Sequence, residues 1–267
     1  MKKIKIILVM ILAIFVVMYI RNIYILLCRN TGINNKLYCN QSIEDIRKIL
    51  NSKKDKIIVI DPGHGGVDPG KVGKNNELEK NINLSIAFKL RDYLTYYGFS
   101  VIMTRNRDMG LYSESDRNKK NIDLRNRVNI INDSDAIAVV SIHQNSFSSE
   151  RERGAQVFYH NKSIISKDLA KDVQDALKKY HDVDNKRVEK ANSSYYLLKK
   201  TVKPTIIVEC GFLSNNDEAK KLATNSYQDS IAKSIGTGIV IWANKILESV
   251  YWFFEFIRVY LSTQIKV

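Results

Sequence analysis

Lys56-Ile57-Ile58-Val59-Ile60-Asp61-Pro62-Gly63-His64-Gly65-Gly66 is the stretch from which the fold can be read. A short β-branched run stopped by Pro and Gly predicts a buried strand feeding a loop. Downstream, Ile82, Ile86, Leu90 and Leu94 recur every fourth residue between Glu79 and Tyr97, which predicts an amphipathic helix stopped by Gly98. Phe99 to Thr104 then predicts a second strand, Asp123 to Ile131 a helix, and Ala136 to Ile142 a third buried strand ending at His143. Strand, helix, strand, helix, strand implies parallel pairing through right-handed crossovers. The rest continues the pattern: strands over Ala155–Tyr159, Tyr195–Leu198 and Thr205–Val208, and helices over Ile164–Tyr180 and Ser226–Leu247. The expected fold is α/β: an open, twisted, mostly parallel sheet with helices on both faces.

Ahead of this domain, MKKIK precedes an uncharged apolar run from Ile6 to Ile20, with Ile23 to Leu27 continuing beyond Arg21. Lysines before an apolar core make a secretion signal, and no small-residue cleavage site follows. Residues 1–27 are therefore expected to be an uncleaved membrane anchor, with the lysines cytoplasmic and the remainder outside. Residues 28–55 are polar and mixed, a stalk leading to a domain over 56–248. Residues 249–267 form an aromatic, apolar tail with Glu255 and Arg258 interspersed, suited to docking on the domain or lying in a membrane interface.

The chain of 267 residues carries 42 Lys and Arg against 28 Asp and Glu, a net charge of +14. Such an excess favours anionic partners. No zinc-finger, RNP-type or basic-zipper pattern accompanies it, and an extracytoplasmic location argues further against nucleic acid. Cys28, Cys39 and Cys210 form no CxxC, so a thiolate metal site is not expected. Cys210 follows an apolar run as a buried small hydrophobe.

His64, His143 and Glu209 each follow the C-terminal end of a predicted buried strand, the edge where open α/β sheets bind ligands. Two histidines and one carboxylate, with a fourth position left open, is a common zinc-hydrolase set. Glu77 and Glu79 compete to supply the carboxylate. At ~100° per residue Glu79 shares a helix face with Ile82, Asn83 and Ile86, the side packed on the sheet, so Glu79 is the expected ligand. No nucleophilic serine elbow or Cys–His motif offers another route to hydrolysis.

Several motifs resemble those of the zinc-dependent N-acetylmuramoyl-L-alanine amidases, and they occur in that family's order from about Ile57 to Trp242. Asp61-Pro62-Gly63-His64-Gly65-Gly66 with Asp68-Pro69-Gly70 is similar to the opening motif. Glu79-Lys80 with Asn83-Leu84 looks like the metal-carboxylate helix. Thr104-Arg105 with Asp108, and Leu124 with Arg127, look like the strand and helix that follow. Ser141-Ile142-His143-Gln144-Asn145 resembles the second histidine motif, and Val208-Glu209-Cys210-Gly211-Phe212-Leu213-Ser214-Asn215 the catalytic-glutamate motif. Gln144 and Ile131 stand where the family usually has Ala.

The resemblance implies zinc held by His64, Glu79 and His143, with Glu209 as the general base. Asn145 and Arg105 are the expected substrate contacts, although Arg105 could equally be structural. Asp61 is a candidate to hold His64 through an outer hydrogen bond. His160 and His181 carry no partner motif. The expected substrate is peptidoglycan, cut between N-acetylmuramic acid and the first alanine of the stem peptide. One catalytic domain with an anchor and no wall-binding repeats resembles the sporulation type, which prepares cortex for muramic-δ-lactam formation. A division or autolytic amidase, a zinc carboxypeptidase and a non-catalytic wall-binding module are the alternatives. The expected location is extracytoplasmic, the forespore intermembrane space included. An extracytoplasmic activating protein is an expected partner.

Overall fold

The computed structural model describes residues 56–264; the expected anchor (1–27) and stalk (28–55) lie outside them. Six strands form one sheet in the order β2-β1-β3-β6-β4-β5. The strands are β1 (Lys56–Pro62), β2 (Phe99–Met103), β3 (Ala138–Asn145), β4 (Gln156–Tyr159), β5 (Lys190–Ala191) and β6 (Thr205–Phe212). The helices are α1 (Glu79–Tyr96), α2 (Lys119–Asp133), α3 (Ile164–Tyr180), α4 (Tyr196–Lys200), α5 (Asn216–Leu222) and α6 (Asn225–Gln264).

Neighbours β2, β1, β3 and β6 are all parallel, while β4 runs antiparallel to β6 and β5 parallel to β4. The sheet is thus mixed, and the reversal has a local cause. Residues 146–155 join β3 to β4 without a crossover helix, so β4 returns in the opposite direction, whereas α3 supplies the crossover from β4 to β5.

Alternation along the strands divides the core between two faces. Ile58, Ile60, Val140 and Ile142 pack with Ile86, Leu90 and Leu94 of α1, and with residues of α3 and α6. Val59, Val139 and Ile207 face the other way, onto Val128 and Ile131 of α2 and Leu197 and Leu198 of α4. Fully burying such a side chain contributes about 1.5–3 kcal/mol. α1 buries Ile82, Asn83, Ile86, Ala87, Leu90 and Leu94 at the predicted spacing, and it ends before Gly98 at φ +80°.

Three readings change. Tyr195–Leu198, expected as a strand, becomes the start of α4, because a short apolar run does not separate strand from helix by periodicity. α5 was not anticipated, although Asn215, whose side chain accepts from the Glu218 N–H, is a helix-start signal with Glu three residues on. The Glu218 carboxylate does not close a capping box. It accepts instead from Phe212 N (2.7 Å) and Gly154 N (2.9 Å), tying α5 to β6 and to the start of β4. Beyond Leu247 the backbone stays helical, so the expected tail is, as far as residue 264, a continuation of α6. Among the described residues no helix is long and apolar enough to cross a membrane.

Candidate active site

The loop after β1 is held from beneath by two buried arginines. Arg127 of α2 pairs with Asp61 (2.7 Å) and Asp123 (2.6 Å), and donates to Pro62 O (2.8 Å) and His64 O (2.7 Å). Arg105, at the end of β2, donates to Pro62 O (2.9 Å), Gly63 O (3.0 Å), Lys80 O (2.8 Å) and Arg107 O (3.1 Å). The Arg105 guanidinium thus engages four backbone carbonyls and the residue is only 2% exposed, an arrangement suited to the structural role that the sequence left open beside substrate contact.

Asp61 also departs from its expected role. Its carboxylate accepts from Arg127, Thr104 Oγ1 (2.6 Å) and Ser141 Oγ (2.6 Å), and makes no contact with the His64 ring. Burial would raise this carboxyl, but the Arg127 charge and the two hydroxyl donors outweigh it and hold the pKa at about 2. The partner of His64 is Asp68, whose Oδ2 lies 2.9 Å from Nδ1 and whose Oδ1 accepts from Gly70 N (3.0 Å). Asp68 was visible in the motif as a residue, but its role depends on how the loop closes.

These restraints bring His64, Glu79 and His143 together, each with a ligand-type atom, all within 4.8 Å of one another. Glu79 Oε1 lies 3.3 Å from His64 Nε2 and 3.1 Å from His143 Nδ1, and the two rings meet edge to face at 5.0 Å. The Glu79 carboxylate is itself positioned by backbone donors, Gln144 N to Oε1 (2.9 Å) and Lys71 N to Oε2 (2.7 Å). Burial opposes its ionisation, yet the His143 and His64 imidazoles hold it well below the usual carboxylate range. His64 is raised in turn: burial lowers it, and the Glu79 and Asp68 carboxylates more than compensate. Glu77 lies outside the group, bonded to Asn75 in the preceding loop.

Backbone geometry is specialised where the rings approach. His64 adopts φ +62°, a left-handed conformation that a non-glycine residue occupies at a cost of order 1–3 kcal/mol. A Cβ on Gly63 would lie 2.2 Å from the His143 ring, and one on Gly70 would lie 2.5 Å from Glu79 Oε2. Both positions admit only hydrogen without displacing a member of the cluster.

Glu209 is cross-strand neighbour to His143 in the β3–β6 register and is 8% exposed. Its Oε2 is buried with no hydrogen-bond partner. Burial raises the carboxyl, His143 counteracts it and Glu79 adds to it, placing the pKa at about 7. A buried carboxylate oxygen without a hydrogen-bond partner costs free energy that folding alone does not recover.

Asn145 ends β3 at a register irregularity, its Oδ1 accepting from Ser146 N (2.8 Å) and its carbonyl from Leu213 N (2.9 Å). Gln144 turns inward and donates to Asn83 Oδ1 (3.0 Å), extending the polar layer under Glu79. His160 and His181 are absent from the cluster; His181 sits against Tyr227 and Ser230. Cys210 is buried and free, as expected.

A family model described as N-acetylmuramoyl-L-alanine amidase matches residues 58–240. The germination-specific N-acetylmuramoyl-L-alanine amidase of Bacillus subtilis (strain 168) is 42% identical over 188 residues, 69% of this chain and 78% of the relative. Among solved structures, the CwlD amidase from Clostridioides difficile in complex with the GerS lipoprotein superposes with a TM-score of 0.69 at 42% identity. The match covers 71% of this chain and 99% of that one. An N-acetylmuramoyl-L-alanine amidase from Clostridium difficile 630 follows at 0.63 and 32% identity, covering 71% and 97%. With its histidine–glutamate cluster at the C-terminal edge of this sheet, the chain belongs to the N-acetylmuramoyl-L-alanine amidase family and is an enzyme of that class.

Proposed function

We propose that the enzyme is a zinc-dependent amidase of spore-cortex peptidoglycan, releasing stem peptides from muramic acid before muramic-δ-lactam forms. The observation that carries the zinc assignment is the donor set itself. Two imidazoles and one carboxylate within 4.8 Å, with His64 and Glu79 each fixed by a hydrogen bond from outside the set, fit a catalytic zinc site, which keeps a further position open. The orphaned Glu209 oxygen beside them fits the same reading. His64, Glu79 and His143 would hold the ion. Bound zinc supplies Lewis acidity at the amide carbonyl and brings the pKa of water to about 7.

The chain's own groups supply the proton transfers. Glu209 takes the proton of the attacking water and hands it to the departing alanine nitrogen, so one group serves as base and then as acid. Its burial raises proton affinity, which suits a base working near neutral pH. Asn145, two residues past His143 on the strand rim, is positioned to orient the substrate.

Purified enzyme should bind one zinc. His64→Ala, Glu79→Ala and His143→Ala should each lower the zinc content measured by metal analysis after dialysis. Undiminished affinity in Glu79→Ala would move the third ligand elsewhere.

The cortex assignment draws on the germination-specific relative. Its test is mass spectrometry of muropeptides from a deletion strain, in which muramic-δ-lactam should disappear; normal lactam levels would refute the role.

Extracytoplasmic location through residues 1–27 is part of the same proposal, supported by the lysine-led apolar run. Full-length protein should sediment with membranes and retain Met1 to Ile20; a mature chain beginning after that segment would remove the anchor. An activating extracytoplasmic protein is proposed as well, supported by the solved relative in complex with a lipoprotein. Full activity of isolated enzyme at low zinc, unaltered by host extract, would count against it.

A further inference from the structure

The three segments that carry the cluster are joined at a pair of buried amides. His64 follows β1, Glu79 opens α1, and His143 lies near the end of β3. Asn83 stands one helical turn past Glu79, and Gln144 directly follows His143; both side chains are buried. Asn83 Nδ2 donates to the carbonyl of Gly63, the residue before His64 (3.1 Å), and lies 3.5 Å from Glu79 Oε1. Gln144 Nε2 donates to Asn83 Oδ1 (3.0 Å), while its backbone N–H donates to Glu79 Oε1 (2.9 Å). A relay of two side-chain amides thus links all three ligand-bearing segments.

The direction of the relay is dictated by its ends. The Gly63 carbonyl and the Glu79 carboxylate are both acceptors, so Asn83 must turn its NH2 toward them. Its Oδ1 then faces Gln144 and takes a proton from Nε2. Reversing either amide would set oxygen against oxygen in a buried layer, where an unmatched polar contact is most costly. Gln144 is therefore the group that fixes the Asn83 amide in its donating orientation beside Glu79.

The other atom of the same amide argues against a purely structural role. Gln144 Oε1 is buried with no hydrogen-bond partner. The Cys210 thiol neighbours this amide, yet it donates to Val208 O (3.7 Å). A buried acceptor left unmatched costs about 1–3 kcal/mol, which an apolar side chain of the same length would not incur. Nor is the relay needed to fasten the His64 loop to α1, because Arg105 already bridges Gly63 O (3.0 Å) and Lys80 O (2.8 Å). What Gln144 adds is the orientation of Asn83 and the tie to β3.

We propose that Gln144 is a positioning residue for the metal centre, holding Glu79 and the His64 loop in ligand geometry through Asn83 before an ion arrives. A site ordered in advance binds its ion more tightly, because less freedom remains to be lost on binding. The Gln144 side chain acts at one remove, as the partner of a group that contacts a ligand, and takes no part in proton transfer.

This inference rests on the zinc reading, and the experiment keeps the two apart. Zinc affinity of the full-length protein in detergent is measured by competition with a chromogenic chelator, and unfolding of the metal-free protein is followed alongside. Gln144→Met keeps the length of the side chain and the backbone N–H to Glu79 but removes the amide. It should weaken zinc binding about 10-fold, the lower end of what outer partners of metal ligands contribute. Gln144→Leu, of similar volume, should give the same shift and guards against a defect peculiar to one substitution. Asn83→Ala should also weaken zinc, and adding Gln144→Met to it should cost almost nothing more, because the relay is already broken. Unchanged zinc affinity in both Gln144 variants, or losses that simply add in the double variant, would overturn the proposal. Wild-type protein that binds no zinc would remove the zinc reading first and the role of the relay with it.

Discussion

Glu209→Gln should retain its fold and its zinc and lose ~100- to 10,000-fold in turnover, the usual contribution of a general acid–base group. The substitution is isosteric, so the packing of β6 between β3 and β4 is preserved. What disappears is proton affinity. The carboxyl is raised to about 7 because burial penalises its charge, and a carboxamide in its place accepts no proton at any working pH. Stability should not fall, because Oε2 makes no hydrogen bond that the substitution would break, and a buried charge is removed. Single-turnover hydrolysis of a defined muropeptide, with metal content and thermal unfolding measured on the same preparation, checks all three expectations. Near wild-type turnover would take Glu209 out of the mechanism; lost zinc would make it a ligand instead.

Asp61→Asn should act on the scaffold, lowering unfolding free energy by about 3–5 kcal/mol, the cost of leaving one partner of a buried ion pair uncompensated. Asp61 and Arg127 are each 2% exposed, and Asp123 alone would remain to balance the guanidinium. The same pair predicts a pH window. The folded pKa of Asp61 is depressed to about 2 from an ordinary value of 3.8, so the native state binds that proton less readily than the unfolded chain. Its stabilisation is complete above the unfolded pKa and is lost as pH falls from about 4 towards 2, worth about 2–3 kcal/mol. Urea titrations of both proteins at pH 7 should show the loss, and the difference between them should shrink at the acid end. A deficit under 1 kcal/mol at pH 7 would show that Asp123 and the carbonyls suffice for Arg127.

The legibility of this molecule follows the range of the interactions that made each part. β1, α1 and α3 were readable because their patterns are local: a β-branched run stopped by Pro-Gly, and apolar residues at helical spacing. Placing Glu79 rather than Glu77 in the cluster needed only the direction of a helix face, and the structure has Glu79 there with Glu77 out in the loop. α4 escaped because four residues hold too little periodicity, and its helical state is set by Leu197 and Leu198 packing on α2 and β6. The reversal of β4 escaped because strand direction is a property of the connection and not of the strand.

By itself, the sequence determined the family, the alternation of strands and helices, and the residues that meet at the sheet edge, because these rest on patterns a few residues long and on strand ends the topology aligns. Only the tertiary structure decided what each polar group near that edge is bonded to. Asp61 rather than Asp68 was the natural candidate to hold His64, being nearer the strand, yet Arg127, 66 residues away in the chain, claims Asp61 and leaves the histidine to Asp68. Arg105 could be read either way in the sequence, and only the fold shows its donors engaged with the carbonyls of Pro62, Gly63, Lys80 and Arg107. The reason is physical: a buried charge takes whichever partners satisfy it most completely at close range, and that set exists only once distant segments of the chain have packed.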